Sequence, residues 1–513
     1  MQADLILDGP HVVDVERGAA RVASIAIKGD RIAAVGAPAE IAALRGPGTE
    51  MLDLSGQTVV PGFIDAHAHL VEAGVALLEI DVRPAATIRD IQDLVAERAA
   101  TQPPGTLIRG WGLQEHLLRE GRMPRKEELD AVAPDHYVRI FRDDGHASVV
   151  NTKAFEHLGI ALDTPGVDIE DGEPTGGLRA GAQRGVDDRL RGFELRGLRE
   201  RGLEAAAAEA LRVGLTTVNT LEGSDGGDHE EIVRLAGDLA RLPVRTVLWY
   251  QTTQVERVRE LGLPRIGGCI LVDGAPGSYT GALFEPYSDR PDTRGTLYFE
   301  DGALEAFVLE AHRGGYQIAL HATCQRAIEQ VLCAYETALD AEPKADHRLR
   351  IEHGYGLPTP NQFRRMAERG IIWSTQPAFL HYRMEMYYRR FGDRWRGVHP
   401  HRLGLEQGVT IAGGSDSFVT PLYPLLGIHC AVNHPVEEQR VGVREALRWF
   451  TCNAAYAAFE DDAKGSIEPD RLADLTVLGR NILTENALTL KDIPVVATLV
   501  GGAIRHTAPE PGR

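Results

Sequence analysis

Two histidines one residue apart, His67 and His69 in PGFIDAHAHL, close an apolar run and are the first residues in this chain whose types and spacing could bind a metal. In an extended strand, positions i and i+2 project to one face, so both imidazoles point the same way and can share an ion. A pair of histidines satisfied only by hydrogen bonds fits an isolated HxH equally well. Three later residues shift that balance. His321 ends the strand-like YQIALHA, His353 ends LRIEHG, and Asp416 ends VTIAGGSD. Neutral imidazoles with a carboxylate suit zinc or another borderline divalent metal. Such a metal lowers the pKa of water toward about 7 and polarises a carbonyl oxygen, and a carboxylate beside it can carry protons. That is equipment for hydrolysing an amide-type bond.

For these five residues to meet, each must sit at the same end of a set of neighbouring strands. The sequence supplies the set: VVPGFIDAHAH, LTTVNTLE at 215, LPVRTVLWY at 242, GGCILVDG at 267, YQIALHA at 316, LRIEHG at 349, IIWSTQP at 371 and VTIAGGSD at 409. Amphipathic helical patterns lie between them, among them EEIVRLAGDLAR at 230, DGALEAFVLEAHRGG at 301 and PTPNQFRRMAERG at 358. His321 and His353 are 32 residues apart, one β-α unit, and His353 and Asp416 are 63 apart, two units. Eight such units imply an α/β fold with a TIM-like (β/α)8 barrel, whose strand C-termini carry the active site.

Residues 1–58 alternate apolar and polar with Gly-Asp and Asp-Gly turns, and ADLTVLGR at 473 and VVATLVGGAIRH at 495 repeat that texture. A small β-sandwich assembled from 1–58 and 460–513 is therefore expected, with the barrel over 59–459. The first strand ends near 70 and the second begins near 215, too long a gap for one helix, so residues 75–190 are read as a subdomain inserted after strand one, over the barrel mouth.

Composition narrows the class. Hydrophobic residues at 43% and charged residues at 25% describe an ordinary globular protein, and a net charge of -19 with no basic stripe argues against a nucleic-acid surface. The N-terminus lacks a basic segment followed by an apolar one, and no run approaches a membrane span, so a cytoplasmic location and no membrane partner are expected. Five cysteines, at 269, 324, 333, 430 and 452, form no paired framework and are expected to be reduced thiols.

Taken together, PGFIDAHAHL, LHATCQRAIEQ, IEHG, GGSDSFVTPLYPLLGI and KGSIEPDRLADLTVL, with GHASVVNTKAF and GEPTGGL in the insertion, resemble the amidohydrolase superfamily, in particular its amidohydrolase-3 or YtcJ-like branch of metal-dependent hydrolases. The resemblance covers nearly the whole chain. It implies that His67 and His69 hold a more buried metal, that His321 and His353 hold a second, and that Asp416 ligates and acts as general base and then acid. It also implies a bridging ligand on strand four, commonly a carboxylated lysine, where this chain has Cys269. A cysteine thiolate can bind or bridge zinc directly, and a small buried hydrophobe beside a single metal is the alternative for Cys269. His146, Trp111 and Gln376, in GHASVVNTKAF, RGWGLQEH and STQPAF, are read as substrate contacts, against structural roles for Trp111 and His146.

The expected activity is metal-dependent cleavage of a non-peptide C–N bond in a small molecule, with one or two zinc or other divalent ions. Deamination or ester and lactone hydrolysis on the same residues, and a non-catalytic scaffold, are the alternatives. A homodimer is compatible with the sequence.

Overall fold

The computed structural model describes residues 2–143, 145, 147–179, 182 and 195–509. All eight strand-like segments form one parallel sheet in chain order: β1 (Phe63–Ala68), β2 (Leu215–Glu222), β3 (Arg245–Tyr250), β4 (Arg265–Leu271), β5 (Gln317–Cys324), β6 (Arg350–Gly356), β7 (Ile372–Thr375) and β8 (Ile411–Gly413). A parallel bridge between Ala68 and Ser417 brings the two ends of the sheet together, so the barrel is nearly closed. Every residue of β2, β5 and β6 is buried, as expected for strands covered by helices outside and filled by side chains inside. The filling is polar under the strand ends. Asn219 Nδ2 donates to the Asp65 carbonyl at 3.0 Å, Trp249 Nε1 donates to Asn219 Oδ1 at 3.2 Å, and the Arg350 guanidinium lies 4.6 Å from the Trp249 ring centroid.

Strand β4 is irregular. Its pairing with β5 shifts between Gly267 and Leu271, and both Gly267 and Gly268 adopt positive φ, 92° and 103°. A Cβ at Gly267 would lie 2.2 Å from the Ala319 carbonyl oxygen, so this bulge requires glycine.

The termini build two further sheets. One orders Arg31–Gly36, Ser24–Lys28, Leu5–Asp8 and Glu50–Asp53; the other orders Ala503–Thr507, Val495–Val500, Leu475–Leu478, Thr58–Pro61, His11–Asp14 and Ala19–Val22. Leu5, Leu7, Ile25 and Ile27 of the first pack with Val12, Val59, Leu475, Val477 and Leu499 of the second in one apolar core. Alternation in both chain ends thus produces a sandwich. Thr58–Pro61 leads through Gly62 directly into β1, linking sandwich and barrel covalently at the strand that carries the HxH.

The chain divides into two compact units, Met1–Leu70 with Ala207–Arg513, and Val71–Ala206. The second has its own sheet, ordered Val167–Glu170, Glu173–Arg179, Ala147–Val150, Tyr137–Arg142, Leu107–Leu113 and Ile80–Asp81. Its helix Ile88–Thr101 starts at a Thr87 cap that accepts from the Asp90 N–H and packs Ile88, Ile91 and Val95 against Ile108, Val138 and Ile140. Among the described residues, no helix is long and apolar enough to cross a membrane.

Three fully buried histidines lie apart from the strand-end residues. His399, His401 and His434 have ring centroids 5.7 and 5.8 Å apart in sequence order, and His401 lies between Trp373 and Trp449 with neither ring nitrogen hydrogen-bonded. Burial pushes all three imidazoles down, His434 to about 4 and the others well below their ordinary range. A depressed histidine binds its proton in the unfolded chain before the folded one. The contribution of these imidazoles is therefore complete above about pH 6.5 and falls as pH drops below it, by up to about 1.4 kcal/mol per pH unit for each. His401→Phe should preserve stability at pH 7 and reduce this slope by about one proton, read from urea unfolding between pH 7 and 5. An unchanged slope would remove His401 from the account.

Candidate metal centre

The strand ends bring His67, His69, Cys269, His321, His353 and Asp416 to one place. Within this set, the ligand atoms of His67, His69 and Cys269, those of Cys269, His321 and His353, and those of His67, His353 and Asp416 each lie within 4.8 Å of one another. Cys269 belongs to the first two groups, so its sulfur lies between two pairs of imidazoles. Its Sγ is 3.3 Å from His321 Nδ1 and 3.7 Å from His353 Nε2.

Three of the four imidazoles are oriented by a partner at Nδ1. His67 Nδ1 is 2.6 Å from Glu352 Oε2, His69 Nδ1 is 2.8 Å from the Leu221 carbonyl, and His353 Nδ1 is 2.8 Å from Gln376 Oε1. All three partners are acceptors, so Nδ1 carries the proton and Nε2 offers a lone pair to the centre. His67 Nε2 is buried and makes no hydrogen bond, although Asp416 Oδ1 lies 3.3 Å away. The same oxygen lies 3.3 Å from His69 Nε2. A buried lone pair aimed among four other ligand-capable groups fits a divalent cation. The donor set, imidazole with carboxylate and thiolate, fits zinc.

The backbone helps to aim the ligands. His353 and Asp416 both have positive φ, 71° and 55°, a left-handed conformation that is uncommon outside glycine and costs roughly 1–3 kcal/mol. The Asp416 N–H donates to the His67 carbonyl at 2.7 Å, and Asp65 Oδ1 accepts from the N–H groups of His67 and Ser415, both at 3.0 Å. Asp65 thus ties the first strand end to the last.

Electrostatics favour charged ligands. Burial raises the Asp416 carboxyl, but the imidazoles of His67 and His69 outweigh it and hold the group well below the usual carboxylate range. Burial likewise raises the Cys269 thiol, and the adjacent His321, His353 and His67 reverse the effect and hold it well below the ordinary thiol range. Glu352, against burial, is held at about 2 by Arg350 and His67. Arg350 Nε donates to Glu352 Oε1 at 2.7 Å, and both side chains are fully buried.

The residues read as substrate contacts are placed differently. Gln376 is fully buried, and its side-chain oxygen accepts from His353, so it orients a candidate ligand. Trp111 is buried within the Val71–Ala206 unit, its ring centroid 6.0 Å from that of Phe141. His146 lies outside the described residues. The supporting residues Glu352, Arg350 and Asp65 were not singled out from sequence, although a signal existed. Alternation places Arg350 and Glu352 of LRIEHG on one face of β6, and a charged pair on the inward face of a barrel strand needs a buried partner.

Comparison with known proteins shows the family and the fold. Over residues 50–506 the chain matches the amidohydrolase family. It is 29% identical to an N-substituted formamide deformylase from Arthrobacter pascens, across 98% of this chain and 98% of that one. It is also 29% identical to YtcJ of Bacillus subtilis, across 89% and 90%. In three dimensions it resembles an uncharacterized metal-dependent hydrolase from Pyrococcus horikoshii, with a TM-score of 0.78, 24% identity, and coverage of 94% of this chain and 99% of that one.

Proposed function

The chain belongs to the amidohydrolase family, and from that premise we propose a metal-dependent hydrolase that cleaves a non-peptide C–N bond, with N-substituted formamides and related N-acyl amines as the substrate class. The observation that carries the reading is the His67 imidazole, with Nδ1 committed to Glu352 and Nε2 buried without a hydrogen bond, among the described residues, beside four other candidate ligands. His67, His69 and Asp416 would hold one ion, His321 and His353 a second, and Cys269 would lie between them. When bound, a divalent metal here supplies Lewis acidity toward the substrate carbonyl and makes water a better nucleophile at neutral pH.

The protein groups then divide the remaining work. Asp416, ionised and next to two imidazoles, takes the proton that attacking water releases and delivers it to the departing nitrogen. Glu352 and Gln376 keep His67 and His353 in the tautomers that leave Nε2 unprotonated. The formamide class is favoured over deamination or lactone hydrolysis by the full-length similarity to the formamide deformylase.

Purified protein should be assayed for metal content and against N-formyl amines, N-acyl amino acids, cyclic amides, carbamates and lactones. Release of amine and formate from an N-formyl amine supports the reading. Turnover with ammonia as the only nitrogen product, or turnover of lactones alone, overturns it. Cys269→Ala is expected to lower metal content toward one ion per chain and reduce activity. It should also remove the thiolate-to-metal charge-transfer band of the cobalt-substituted protein. Retention of full metal, rate and band would leave Cys269 as a packing residue.

A further inference from the structure

Three of the four imidazoles at the centre hold Nδ1 toward a partner and present Nε2; His321 is reversed. Its Nδ1 faces Cys269 Sγ, and its Nε2 lies 3.3 Å from the Gly274 carbonyl and 3.7 Å from Asp273 Oδ1. Two orientations are open to any imidazole at a strand end, and only one offers a lone pair to the centre from this position. Something must select it.

The geometry points to Asp273 as the positioning residue that fixes His321 in this reversed orientation, by holding the Gly274 carbonyl beneath Nε2. Asp273 is fully buried on the loop that follows β4. Its Oδ1 accepts from the Thr323 N–H at 2.8 Å, and its Oδ2 accepts from the Ala282 N–H at 2.8 Å, the Cys324 N–H at 3.1 Å and the Thr323 hydroxyl at 2.9 Å. Thr323 and Cys324 are the residues just beyond His321 on β5, so the carboxylate clamps the loop onto the strand that carries the ligand. The Thr323 hydroxyl has one proton to give and also lies 2.7 Å from the Gly274 carbonyl, so a single donor is shared between the carboxylate and the acceptor that orients the ring. A carboxylate that only closed a loop could bind any backbone amides. This one binds the amides two and three residues beyond the reversed histidine, and the residue after Asp273 carries the carbonyl that Nε2 faces. In this respect Asp273 does for His321 what Glu352 does for His67, one bond further removed.

The inference rests on the metal-centre reading, and the test separates the two. Full-length protein is loaded with cobalt(II), and the hyperfine-shifted imidazole N–H protons, visible in H2O and lost in D2O, are recorded. The His321 Nε2–H signal is assigned by its absence in His321→Gln. In Asp273→Asn that signal should shift or exchange away while those of His67, His69 and His353 remain, and cobalt affinity should fall about tenfold to hundredfold. An unchanged signal and affinity overturn the role of Asp273. Should Asp273→Asn not fold, Thr323→Val, which removes the hydroxyl linking Asp273 to Gly274, should move the same signal and weaken cobalt binding several-fold, and no change in either overturns the proposal. A wild-type protein that takes up no cobalt overturns the metal-centre reading and this inference with it.

Discussion

Asp416→Asn is expected to lower kcat by about 10²- to 10⁴-fold while the fold and most of the bound metal are retained. Asparagine matches aspartate in size and keeps one oxygen that can face an ion. It cannot accept the proton released by the attacking water. The backbone contact that places the residue, its N–H to the His67 carbonyl at 2.7 Å, does not involve the side chain and survives the change. The expected pattern is a loss in kcat and kcat/KM alike, with an unaltered thermal transition and metal content near wild type. A rate near wild type would show that the proton moves through another group. A large loss of metal would instead show that the charge of Asp416 is needed chiefly for binding.

The largest expected effect on stability is at Arg350, which touches no candidate ligand. Its guanidinium donates to Glu352 Oε1 at 2.7 Å, to the Ala66 carbonyl at 2.7 Å and to Ser374 Oγ at 3.2 Å, in the polar layer beneath the centre. Arg350→Met would leave the buried Glu352 carboxylate with the neutral His67 Nδ1–H as its remaining side-chain partner. Removing one member of a buried pair costs about 3–5 kcal/mol because the other charge stays out of water. Chemical unfolding should show that loss. Combining Arg350→Met with Glu352→Gln should recover a large part of it, since the second change removes the stranded charge. Additive losses in the double variant would mean that the two side chains do not act as a pair.

The sequence was informative wherever chemistry and strand periodicity coincided. Two histidines at i and i+2, and later single residues at the ends of apolar runs, have to share a rim if the strands are parallel and adjacent, and they do. The β-sandwich from the two chain ends was legible for the same reason, because alternation is visible one strand at a time. Less legible was everything that acts through the backbone. The Leu221 carbonyl that orients His69 leaves no mark in the choice of side chain at 221, and the reversal of His321 depends on the path of a loop. Gln376 shows a third limit. Its position at the end of β7 was apparent, but whether its amide turned toward a substrate or toward His353 depended on side-chain packing across neighbouring strands.

The bulge in β4 has a consequence for which side chains can stand at 269. A cysteine ends one atom beyond its Cβ, whereas a lysine extends on a four-carbon stem, so a thiol reaches the centre only if the backbone carries it there. Gly267 and Gly268 supply that path, at φ values of 92° and 103° that a side chain would resist, and Cys269 follows them directly. The position of the thiol therefore depends on both glycines. An alanine at 267 would collide with the Ala319 carbonyl, one at 268 would press on the Leu221 side chain, and a lone lysine at 269 would arrive where His321 and His353 already stand beside the sulfur. Cys269→Lys alone is therefore expected to crowd the two imidazoles rather than replace the thiol.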